Sequence, residues 1–97
     1  MSLFEECPTR SFTRASVQNN APECSGIYGL SNNREWVYIG ETDNIRAHLI
    51  AHLGEVGTSV SARRPTGFRF EPCAAMSRTE RQTRLVREFA PYVNGRS

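Results

Sequence analysis

Gly26-Ile27-Tyr28-Gly29-Leu30-Ser31-Asn32-Asn33-Arg34-Glu35-Trp36-Val37-Tyr38-Ile39-Gly40 is the stretch that organises this chain. The runs Cys24 to Leu30 and Glu35 to Ile39 are enriched in Ile, Val, Tyr and Trp, which suit a pleated, half-buried surface. Between them Ser31-Asn32-Asn33-Arg34 is polar, and Asn tolerates the left-handed geometry of tight turns. Two such runs joined by a short turn predict a β-hairpin.

Working outward, Asp43 stands where it can N-cap a helix carrying Ile45, Leu49, Ile50 and Leu53, with Gly54 as its stop. Gly57 to Pro65 reads as a loop or a single turn. Phe68, Phe70 and Pro72 alternate as a third strand, and the proline places that strand at a sheet edge. Ser77-Arg78-Thr79-Glu80 has the form of a capping box and predicts a helix from there to about Ala90, ended by Pro91. Leu85, Val86 and Phe89 follow Gln82 by three, four and seven residues, which sets that amide on the helix's buried stripe. Upstream, Ser11 to Gln18 is a short helix with Phe12, Ala15 and Val17 facing inward. The expected fold class is an α/β (α+β) sandwich, a three-stranded antiparallel sheet flanked by helices. Residues 1–21 are read as an N-terminal arm whose short helix packs on a domain spanning 22–97.

A length of 97 residues leaves room for one core. With 38% hydrophobic and 23% charged residues and a mean hydropathy of -0.51, the composition is that of a folded chain and not a disordered one. No apolar run approaches the ~20 residues of a membrane-spanning helix, and the N-terminus lacks the form of a secretory leader. The expectation is a cytoplasmic protein with no membrane partner. Cys7, Cys24 and Cys73 are odd in number and show no CxxC spacing, so reduced thiols are expected, Cys73 as a small buried hydrophobe. Residues 1–60 carry four Arg against seven Asp and Glu, whereas residues 61–97 carry eight Arg against three Glu. The basic half is therefore C-terminal. All 12 cations are Arg, a bias that GC-rich codons explain more simply than phosphate recognition does.

Gly26-Ile27-Tyr28 and, ten residues on, Tyr38-Ile39-Gly40 lie on adjacent strands of one hairpin. In this the chain resembles the GIY-YIG endonuclease superfamily, whose two signature tripeptides it matches letter for letter. Pro22 before the first tripeptide, a helix after the second, and the closing Pro91-Tyr92-Val93-Asn94 extend the resemblance over residues 22–94. The resemblance implies hydrolysis of a DNA phosphodiester with one divalent metal, Mg²⁺ or Mn²⁺. A tyrosine of the first motif would serve as general base and that of the second as a supporting hydrogen bonder. An Arg on the first helix would face the phosphate, and a Glu on the last would hold the metal. A phenol titrates near ~10, so the base needs positive charge beside it, and a hard cation prefers carboxylate and water oxygens.

Carried over by position, Tyr28 and Tyr38 match the two tyrosines, His52 falls where many members carry a His, and Asn94 matches the closing Asn. The Arg position holds His48 and the metal-ligand position holds Gln82. An amide offers a hard cation only a neutral oxygen, and a mostly neutral imidazole presents no guanidinium fork. Losing one transition-state donor typically costs ~10² to 10³ in rate. Neither cofactor nor metal is therefore expected with Gln82, and Mg²⁺ or Mn²⁺ only if the chain is active.

The expected function is a hydrolytically impaired relative that binds nucleic acid, DNA rather than RNA, through Arg78, Arg81, Arg84, Asn94 and a tyrosine-lined groove. Whether it is an enzyme stays open. One alternative is an active metal-dependent endonuclease with an altered catalytic set of Tyr28, Tyr38, His48, His52 and Gln82; another is a protein-interaction module on the same scaffold. Plainer readings stand beside each. The tyrosines could be sheet packing, His48 and His52 a histidine pair without a third ligand, and the arginine row a solvated helix face.

Overall fold

A computed structural model of the chain describes residues 8–94; Cys7 and Arg96 lie outside them. In chain order the elements are β1 (Arg10–Ser11), α1 (Arg14–Asn20), β2 (Gly26–Ser31), β3 (Trp36–Thr42), α2 (Ile45–Leu53), α3 (Ser59–Ala62), β4 (Gly67–Pro72) and α4 (Ala75–Phe89). The hairpin is β2–β3. The strands form one antiparallel sheet in the order β1-β4-β2-β3.

The sheet has four strands, not three, because Arg10 and Ser11 pair with Phe68 and Gly67. Two residues are too short to show a hydrophobic period, so the sequence gives no sign of this strand. Its presence also moves β4 from the expected edge to the interior. Pro72 is tolerated there because it is the strand's last residue, beyond the reach of β1, and its missing N–H interrupts no ladder bond on that side.

β2 is buried along almost its whole length, because helices cover both faces of the sheet. On one face Tyr28, Leu30, Val37 and Phe68 pack with Phe12, Val17, Ala21, Ile45, Leu49 and Val60. On the other, Ile27 and Ile39 meet Leu85 of α4, with Trp36, Val86 and Phe89 around them. A register shift after Leu30, where Leu30 pairs with Tyr38 but Ser31 with Trp36, skips Val37. Such a bulge lets successive side chains share a face, and both Val37 and Tyr38 join the first cluster.

The glycines of the tripeptides answer to close packing. A Cβ on Gly40 would lie 2.8 Å from the Tyr28 ring and hydroxyl and 2.8 Å from the Tyr38 ring. One on Gly26 would collide with the Glu71 carbonyl and come 2.8 Å from Ile45 Cδ1.

Helix starts differ from expectation by short-range hydrogen bonding. Asn44, not Asp43, caps α2, its side chain accepting from Ala47 N at 3.0 Å. Gly54 ends that helix in the right-handed region. α4 begins at Ala75, before the expected box, with Ala74 as an N-cap lacking a side-chain bond; the Ser77 and Arg78 amides already donate back to the Ala74 carbonyl. Ser77 is thus inside the first turn. A reciprocal capping box occurs instead at Thr58 and Ser61 around the single-turn α3. α1 starts at Arg14, with Val17 buried, Phe12 buried just ahead of it and Ala15 exposed.

Candidate functional site

Tyr28 lies opposite Gly40 and Tyr38 opposite Leu30, so the two phenols are diagonal neighbours on the face that α2 covers. Their ring centroids are 6.1 Å apart. α2 supplies His48 and His52, one turn apart and on the same side. The Ile45 and Arg46 amides at its start donate to the Cys24 and Pro22 carbonyls, and the Arg46 side chain reaches Ala21 and Glu23, away from the tyrosines. These bonds fix α2 against the hairpin.

Tyr28, His52 and Glu55 form a connected chain. The Tyr28 hydroxyl is 2.8 Å from His52 Nε2, and His52 Nδ1 is 3.0 Å from Glu55 Oε1, which also accepts from the Thr58 hydroxyl at 3.2 Å. His48 stacks on Tyr28 at 5.8 Å between centroids, and its Nδ1 pairs with the Thr42 hydroxyl. Tyr28 is only 2% exposed, and burial pushes its phenol far above the ordinary value; the nearby Tyr38 and Glu55 add to that shift. No guanidinium offsets it in this cluster. His48, where an Arg would bring lasting positive charge, is itself exposed and committed to Thr42.

The opposite face of the hairpin carries Gln82. Its Nε2 donates to the Ile39 carbonyl at 3.2 Å, the same oxygen that receives Asn94 Nδ2 at 3.0 Å, while Asn94 Oδ1 accepts from Ile39 N at 2.8 Å. Asn94 thus pairs with the outer edge of β3 as a neighbouring strand would. Two carboxylates missed by the sequence reading sit on this face. Glu41 accepts from Arg78 Nε at 3.2 Å and from the Thr79 hydroxyl at 2.9 Å. Glu71, 6% exposed, accepts two bonds from Arg81, at 2.7 and 3.0 Å. Those bonds raise the Arg81 pKa above its ordinary value.

The three arginines proposed for nucleic acid therefore have different surroundings. Arg78 and Arg81 are engaged by carboxylates, whereas Arg84 is exposed, with Glu80 at 3.9 Å. The pairing of Glu41 with Arg78 bridges 37 positions and leaves no sequence signal. Glu55, three residues after His52 at the end of a helix, was within reach of a helical-wheel argument.

These donors do not fit a hard divalent ion. Both carboxylates on the α4 face are neutralised by arginines, and Gln82 turns a donor toward Ile39. Among the described residues, no three His, Cys, Asp or Glu converge as metal ligands would.

No family model and no curated protein matches the chain. Solved structures do match it. The GIY-YIG N-terminal endonuclease domain of UvrC from Thermotoga maritima, bound to its catalytic divalent cation, magnesium, is 17% identical, with a TM-score of 0.63 over 77% of this chain and 91% of that one. Two tyrosine-to-phenylalanine point mutants of the same domain, each bound to the divalent cation, are 16% and 15% identical, with a TM-score of 0.64 over 77% of this chain and 90% of theirs. At such identities the likeness is one of fold. Because Gly26-Ile27-Tyr28 and Tyr38-Ile39-Gly40 pair across a single hairpin of that same architecture, this chain folds as a GIY-YIG domain.

Proposed function

We propose that this domain binds nucleic acid, DNA in preference to RNA, and is impaired in phosphodiester hydrolysis. The carrying observation is the Gln82 amide, which donates to the Ile39 carbonyl at 3.2 Å. A carboxylate in its place would set two acceptors against each other, so the position is matched to an amide and not to a cation ligand. The Tyr28 environment supports the same reading. A general base must release its proton near working pH, and burial without a neighbouring guanidinium works against that. The likeness to an endonuclease domain and the excess of arginine in residues 61–97 support nucleic acid as the partner.

One observation favours a second reading, an active endonuclease with an altered set. The Glu55 carboxylate sits at His52 Nδ1 while Nε2 faces the Tyr28 hydroxyl, the order of groups found in a base oriented by a carboxylate. Plasmid nicking in Mg²⁺ or Mn²⁺ separates the two readings. The unaltered chain is expected to leave supercoiled plasmid intact, and His48→Arg with Gln82→Glu to nick it at a rate about 10²-fold above that background. Nicking by the unaltered chain, abolished by Tyr28→Phe, would establish the second reading instead.

A further inference from the structure

At the turn end of the hairpin, away from the histidines, a cleft of about 450 Å³ opens between residues 32–35 and residues 62–66. Arg34, Arg63 and Arg64 line it, with Asn32, Glu35 and Thr66. It meets a second hollow of about 380 Å³ that shares Ala62 and Arg63 and adds Ser59 and Tyr92. Three arginines and one carboxylate line the cleft, and Glu35 holds Arg63 only loosely, at 3.7 Å. Arg34 and Arg64 are exposed and form no ion pair among the described residues.

The cleft is held together. Asn32 Nδ2 donates to the Arg63 carbonyl at 2.8 Å, its Oδ1 accepts the Arg34 and Glu35 amides, and Thr66 N donates to Ser31 O at 2.8 Å. The hairpin tip is thus fastened to the segment after α3. Arg64 occupies the left-handed region at φ 50, a conformation that costs a non-glycine residue on the order of 1 kcal/mol. Its amide donates to the Ser61 carbonyl at 3.1 Å, so Arg64 is the left-handed residue that closes α3, and its side chain projects into solvent. The Arg63 guanidinium lies 3.4 Å over the Tyr92 ring, and the Tyr92, Val93 and Asn94 backbone or side chain bonds to Trp36, Val37 and Ile39 in turn. Residues 92–94 therefore line the outer edge of β3 from the cleft toward Ile39, and Tyr38 lies roughly 7 Å beyond Trp36 by strand rise.

We propose that Arg34, Arg63 and Arg64 form a seat for backbone phosphates of a nucleic acid strand that continues along β3 past Tyr92 to the tyrosine site. This rests on the nucleic-acid reading above and moves the main phosphate contacts from the α4 arginine row, largely neutralised by carboxylates, to the hairpin tip. The contact is electrostatic and carries no base preference, so its signature is salt dependence, about one unit of slope for each phosphate neutralised as its counterion is released.

The test is fluorescence anisotropy of a short labelled DNA duplex titrated with the intact chain at several salt concentrations. Arg34→Gln with Arg64→Gly is expected to weaken binding at least about 10-fold and to lower the salt slope by about two. Glycine accepts the left-handed turn, so the variant keeps its fold, and Arg34→Lys with Arg64→Lys keeps most of the slope. Arg84→Gln is expected to alter the slope less. If the unaltered chain binds and Arg34→Gln with Arg64→Gly binds equally well with the same slope, the seat is refuted while the binding reading stands. If the unaltered chain does not bind DNA even at low salt, that reading fails and the seat with it.

Discussion

The two faces of the β2–β3 hairpin differ in what their polar groups face. On the α2 face, Tyr28 and Tyr38 remain packed around Gly40, and His52 and Glu55 extend the first phenol into a hydrogen-bonded chain. On the α4 face, Glu41 and Glu71 are each occupied by an arginine, and Gln82 and Asn94 are both hydrogen-bonded to Ile39. One face therefore carries a buried phenol linked through an imidazole to a carboxylate. The other is a set of internal ion pairs and amide contacts that tie α4 and the C-terminal segment to the sheet. One scaffold can hold both because packing constrains volume, while the charge of a half-buried position is set by whatever single partner faces it.

The contrast breaks most visibly at Arg81. Arg81→Ala removes two charge-assisted hydrogen bonds from the buried Glu71 carboxylate and is expected to lower unfolding free energy by about 3 kcal/mol, read from urea denaturation, while Glu71→Gln costs less. On the α2 face the largest loss comes from overfilling. Gly40→Ala pushes a methyl against both tyrosine rings, with about 1–3 kcal/mol of destabilisation and a changed near-ultraviolet circular dichroism signal expected.

Alkaline titration sharpens the same comparison. Burial holds Tyr28 protonated in the folded chain, whereas the unfolded phenol ionises near ~10. Its contribution is fully present below about pH 10 and declines above it by up to about 1.4 kcal/mol per pH unit, since the unfolded chain then binds fewer protons. Tyr28→Phe should flatten that decline in denaturation curves measured at rising pH; an unchanged slope would mean the phenol is not held neutral. The smallest effect belongs to Arg84, whose exposed pairing with Glu80 contributes no more than about 0.5 kcal/mol. Arg84→Ala should leave the thermal midpoint nearly unchanged.

The hairpin, α2 and α4 were legible in the residues because each carries a local signature: β-branched and aromatic runs about a polar turn, or an apolar stripe at helical spacing. The helix starts shifted by one to three residues because caps depend on which side chain, if any, reaches an amide, as Asn44 does and Asp43 does not. β1 went unseen, and with it the interior position of β4, because a two-residue strand exists only through its pairing with Phe68 and Gly67.

By itself the sequence determined the scaffold, through two tripeptides at hairpin spacing, and it marked His48 and Gln82 as departures, because residue identity at a fixed offset is a one-dimensional fact. Only the tertiary structure decided where the charges meet: Glu41 with Arg78, Glu71 with Arg81, Glu55 with His52, and Arg34 with Arg63 and Arg64 around one cleft. Electrostatic partnership depends on distance in space. Except for Glu55 near His52, and Arg63 beside Arg64, these groups are brought together by sheet pairing and helix docking between positions far apart along the chain.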